Sequence, residues 1–164
     1  MGTQEAPIFV GETTNSSVPK HSFEILSRMA KGLSLSEIAD ELHLSPLTVK
    51  NCKSKMIAAF QTVVRVPSNQ VLMTTIERLV TKGVIKVDGE IPSAVFDPID
   101  EVIVAGIKSG KSNEEMAQDL NKSPLTVKNR RSKILAKLGA RTRYEMVAKL
   151  AALERASTSV PFKG

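Results

Sequence analysis

The sequence has no tryptophan, one tyrosine (Tyr144), one cysteine (Cys52) and two histidines, His21 and His43. A single cysteine excludes an internal disulfide framework and a multi-cysteine zinc site, and it suits a reducing compartment. Two histidines away from any acidic cluster leave a catalytic metal site little to be built from. Aromatic residues are only 4% of the chain, which disfavours recognition of single strands by base stacking. No apolar run approaches the roughly 18 residues of a membrane span, and the N-terminus has no signal-peptide pattern. Neither a glycine-rich phosphate loop nor a nucleophile–base–acid set is visible, so no enzyme and no cofactor is expected. The expected location is the cytoplasm.

What is present points elsewhere. The 164 residues, 41% apolar and 24% charged, suffice for one ordinary domain or two small ones. The formal charge is +6, and it is concentrated. Residues 122–143 carry eight basic side chains and no acidic one, and residues 45–66 carry four, again with no acid. Solvated helix faces usually mix signs, so acid-free basic stretches favour a nucleic-acid partner.

The chain also repeats itself. Ser45-Pro46-Leu47-Thr48-Val49-Lys50-Asn51 recurs as Ser123-Pro124-Leu125-Thr126-Val127-Lys128-Asn129, an offset of 78. Comparing residues 24–60 with 102–138 gives 16 identities in 37 positions. Two copies of one module explain this economically.

Each copy reads as a run of short helices. Ile25, Leu26 and Met29 in copy one, and Ile103, Val104 and Ile107 in copy two, recur at helical spacing before Gly32 and Gly110. Asp97-Pro98 supplies an N-cap and first helical position for copy two. Ser34-x-x-Glu37 and Ser112-x-x-Glu115 are capping boxes that open a second helix. A break follows at His43 and Asn121, residue types that tolerate a left-handed backbone. Ser45-Pro46 and Ser123-Pro124 then open a third helix, with Val49, Met56 and Phe60, or Val127, Ile134 and Leu138, on its apolar face. A last amphipathic segment runs over 71–82 in copy one and 143–153 in copy two.

The expected fold is all-α: two tandem helix-turn-helix domains of about four helices each, joined by an extended linker. The expected boundaries are a flexible tail at 1–17, copy one at 18–83, the linker at 84–96, copy two at 97–155 and a second tail at 156–164. Within the linker, Val84-Ile85-Lys86-Val87 alternates in a way that suits a short strand or an extended segment.

Copy two, with Gly110-Lys111-Ser112-Asn113-Glu114-Glu115-Met116-Ala117, then Ser123 to Asn129, then Lys137-Leu138-Gly139-Ala140-Arg141-Thr142-Arg143-Tyr144-Glu145, closely resembles the LuxR/GerE-type DNA-binding domain. Copy one resembles it from Glu24 to Ile57 and more weakly near Thr75 to Ile85. The resemblance implies a transcription regulator whose third helix enters the major groove of double-stranded DNA. Thr126, Lys128, Asn129, Arg130, Arg131 and Lys133 would then meet phosphates and base edges in copy two. Thr48, Lys50, Asn51, Lys53 and Lys55 are their counterparts in copy one. The chemistry agrees: Lys and Arg neutralise phosphates, Arg can grip guanine with two bonds, and Asn can do so with adenine.

Copy one departs from the family pattern. Phe60 to Pro67 replaces the Lys-Leu-Gly stop, and Cys52 stands where copy two has Arg130. Copy two is therefore expected to carry most of the reading. An alternative for degenerate helix-turn-helix modules is protein interaction, sequestering a regulator or an RNA polymerase subunit. For the last helices three arrangements stay open. They can pair within the chain as a pseudo-dimer, with half-sites about 10 bp apart. They can pair between chains as a homodimer, or simply complete each module's core.

Overall fold

The computed structural model describes residues 18–87, 91 and 95–159. Among these residues there are eight α-helices and no strand. The first module comprises α1 (Ser22–Ala30), α2 (Leu35–Leu42), α3 (Pro46–Val64), a 3-10 turn at Ser68–Gln70 and α4 (Val71–Thr81). The second comprises α5 (Pro98–Lys108), α6 (Asn113–Leu120), α7 (Pro124–Leu138) and α8 (Arg143–Ser159).

The helices start and stop where local chemistry dictates. Ser34 Oγ accepts the Glu37 N–H at 3.2 Å while Glu37 Oε1 accepts the Ser34 N–H at 2.8 Å, and Ser112 with Glu115 repeats the box at 3.1 and 2.8 Å. Asp97 caps α5 through its carboxylate, which accepts the Asp100 N–H at 2.8 Å. His43 and Asn121 both adopt the left-handed conformation, with φ of 58° and 56°. That conformation lets the next amides, of Leu44 and Lys122, reach back to Ala39 O and Ala117 O at 2.9 Å and close the turn.

Each module has its own core. Ile25, Leu26, Met29, Ile38, Val49, Met56, Phe60 and Ile76 are buried in the first, and Ile103, Ile107, Met116, Val127, Ile134, Leu138 and Met146 in the second. The two are not separate. Helix α4 lies against α8, and each contributes to the other's core. Ala148 and Ala151 of α8 are buried in the first cluster, and Met73 of α4 is buried in the second. Two of the arrangements left open by the sequence are thus realised together: the last helices complete their own modules and also pair within the chain.

Further contacts cross the boundary. Gly32, at φ +86°, lies against the start of α8, where an added Cβ would stand 2.2 Å from Glu145 Oε1. Gly110, its equivalent, lies against the residues before α4, and Asn69 Nδ2 donates to Gly110 O at 3.1 Å. Two ion pairs, the exposed Arg141–Glu37 at 3.3 Å and the half-buried Lys108–Glu77 at 3.2 Å, bridge the same boundary. Exposed pairs contribute about 0–1 kcal/mol each, so apolar burial carries the joint.

Two expectations need correction. Val84 to Val87 is not a strand and not free: Ile85 is buried and Val87 packs on the first core, so the start of the expected linker belongs to module one. Helix α8 continues past Leu153 to Ser159, which makes residues 156–159 helical rather than tail. No glycine or proline interrupts 143–159, and the stretch is rich in alanine and other helix formers. Tyr144 is half-buried and packs against both cores. The expected tail at 1–17, linker residues 88–90 and 92–94, and residues 160–164 lie outside the described residues.

Candidate nucleic-acid interface

The second helix of each helix-turn-helix unit, α3 or α7, is opened by a serine. Ser45 Oγ accepts the Thr48 N–H at 3.0 Å, and Ser123 Oγ accepts the Thr126 N–H at 3.1 Å. The threonine hydroxyls pair with the same serines at 2.8 and 2.9 Å. Thr48 and Thr126, expected at the interface, therefore belong to the cap itself. Proline at the next position pre-sets the helical φ without losing a hydrogen bond.

Burial of Val49, Met56 and Phe60 fixes which side of α3 faces out, and Val127, Ile134 and Leu138 do the same for α7. A turn of 3.6 residues then places Leu47, Lys50, Asn51, Ser54, Lys55 and Ala58 on one outward stripe. The α7 stripe is Leu125, Lys128, Asn129, Ser132, Lys133 and Ala136, all exposed. Lys50, Asn51, Lys55, Lys128, Asn129 and Lys133 form no side-chain hydrogen bond or ion pair among the described residues. Each stripe thus offers two ammonium groups and one amide, with no acid between them.

The remaining expected residues turn away from the stripe. Arg130 Nη1 lies 3.0 Å from both Asp97 Oδ2 and Asp100 Oδ1, so its guanidinium clamps α7 to the start of α5. The Asp100 N–H and, next, Arg130 hold the Asp97 carboxyl below its usual range. Arg131 is half-buried, donating to Asn113 Oδ1 at 3.3 Å. Burial, with Arg143 adding repulsion, lowers its affinity for a proton. Lys53, the counterpart of Arg131, sits 5.6 Å from the centroid of the Tyr144 ring across the module boundary. Arg130 and Arg131, both expected at the interface, are half-buried, with carboxylates or an amide within hydrogen-bonding reach. Cys52, at the Arg130 position, packs on the first core instead.

Leu47, Leu125, Ser54, Ser132, Ala58 and Ala136 were not among the expected interface residues. The sequence held the signal for them, since all fall in the repeat at the same helical face as Asn51 and Asn129.

Two capped helices crossing at a left-handed turn, with the second displaying an unpaired basic stripe, define a helix-turn-helix protein, here with two units in one chain. The description "bacterial regulatory proteins, LuxR family" matches residues 20–67 and 102–150. These segments span more than half of the chain, one per module, and the chain belongs to that family of DNA-binding regulators. Searches of curated proteins and of solved structures found no significant match. Among the described residues no helix is long and apolar enough to cross a membrane.

Proposed function

We propose that this chain is a cytoplasmic, sequence-selective transcription regulator that binds double-stranded DNA by placing α3 and α7 in the major groove. The observation that carries the reading is the outward stripe: four exposed lysines and two asparagines without partners, on the two helices that this architecture uses for reading. Lysines neutralise phosphates and asparagine amides match adenine edges. The sequence favoured α7 as the main reader because copy one has Cys52 in place of Arg130 and lacks the Lys-Leu-Gly stop. With Arg130 engaged inside module two, the first of these grounds loses its support, and the identical stripes favour comparable contributions from the two helices.

The test is fluorescence anisotropy with a labelled duplex of random sequence, titrated across salt. Four lysines neutralising four phosphates give a log–log salt slope of about −3.6. Lys50→Ala and Lys128→Ala should each flatten the slope by about one, and by similar amounts. Absence of binding at low salt would sink the reading and favour a protein partner.

A further inference from the structure

Duplicated modules ordinarily keep their cores and let their surfaces drift, because exposed substitutions change stability by only about 0.5 kcal/mol either way. Helices α1 and α2 obey this against α5 and α6. At exposed positions Phe23 stands against Glu101, Glu24 against Val102, Ser36 against Glu114, Asp40 against Gln118 and Glu41 against Asp119. Helices α3 and α7 reverse it. From Leu47 to Ala58 every exposed residue is identical to its counterpart, and every difference falls where the chain is covered: Cys52/Arg130, Lys53/Arg131, Met56/Ile134 and Ile57/Leu135. Stability does not require identity at exposed positions, so something outside the protein does.

The stripe also opens with an anomaly. Leu47 and Leu125 are 65% and 64% exposed, large apolar side chains held in water at the second position of each helix. Neither packs on a core cluster. In the major groove, the apolar group that distinguishes one base from the others is the C5-methyl of thymine.

We propose that the two modules read the same base sequence, so that one chain recognises two identical half-sites, and that Leu47 and Leu125 each cover a thymine methyl in their half-site. Both modules are joined in one chain through α4 and α8, so the two half-sites lie on one duplex. This inference rests on the major-groove reading above. It concerns which bases are read, not whether DNA is bound.

The experiment is selection of the full chain against a pool of duplexes with a random central segment, followed by sequencing. Enriched duplexes should carry one short sequence twice, with a thymine at the matching position of each copy. Replacing both thymines by deoxyuridine removes only the methyl groups. It should weaken the wild-type chain by about fourfold per half-site, the effect of one buried carbon. The double variant Leu47→Ala, Leu125→Ala, with helical content confirmed by circular dichroism, should be indifferent to that replacement. Two unrelated half-sites, a single half-site, or equal sensitivity of the double variant overturns the proposal. Steep salt-dependent binding without enrichment overturns it while leaving DNA binding in place. Failure to bind the pool at all removes both.

Discussion

Met73 and Ala148 sit on the paired helices α4 and α8, and each is buried in the core of the module to which it does not belong. Truncation of either core is therefore felt by both modules. Met73→Ala should destabilise the chain by about 2–5 kcal/mol. The loss should appear as lowered hydrogen-exchange protection at Ile134 and Leu138 in one module and Ile76 and Leu79 in the other. Loss of protection confined to one module would show that the two cores unfold independently.

Gly32 and Gly110 occupy equivalent positions, but alanine should not be equally tolerated at them. Both have positive φ, which costs an L side chain about 1–2 kcal/mol. At Gly32 the new methyl meets the buried carboxylate of Glu145, which already accepts from the Arg141 N–H and pairs with Lys149. At Gly110 it meets the exposed side chain of Asn69, which can swing aside. Thermal unfolding should rank Gly32→Ala below Gly110→Ala, and equal midpoints would refute the steric distinction.

Releasing Arg130 should strengthen DNA binding. The double variant Asp97→Asn, Asp100→Asn keeps the shape of both side chains and an N-cap oxygen at position 97, but removes the two charges on the guanidinium. One more free cation on α7 should steepen the salt slope by about one. An unchanged slope in the anisotropy titration would mean that Arg130 cannot reach a phosphate.

Acid should loosen the same region. Hydrogen bonds from the Asp100 N–H and Arg130 depress Asp97, and those from the Ser34 N–H and Arg141 depress Glu37. Their folded-state values lie below their unfolded ones, so the stabilisation is complete above the ordinary values of 3.8 and 4.5. It is lost as pH falls through the lower folded values. Urea midpoints measured at falling pH should therefore drop in acid, and Asp97→Asn should flatten that decline. A variant as acid-sensitive as the wild type would assign the decline to other carboxylates.

Much of the fold is legible in the sequence because its signals are local. Ser34 and Glu37, Asp97 and Pro98, and the left-handed His43 and Asn121 each act within a turn of where they stand. The pairing of α4 with α8 is less legible, since Ala148 or Met73 on an apolar stripe says that something covers it, not what. Arg130 misled for a related reason: Asp100 and Asp97 lie 30 and 33 positions away along the chain, and charge counted along the chain cannot show a clamp formed in space. At the interface, Lys128 and Asn129 announce themselves by chemistry. Leu125 does not, because an apolar residue in a helix reads as core until its exposure is known.

The union of α4 with α8 changes how such a protein would respond to its own abundance. A regulator assembled from two chains comes apart on dilution, and its occupancy of a paired site rises with the square of concentration while monomers prevail. Here both readers travel on one polypeptide, already joined through buried side chains. On the function proposed above, a chain acting alone would occupy its site along a simple hyperbola, without a dosage threshold.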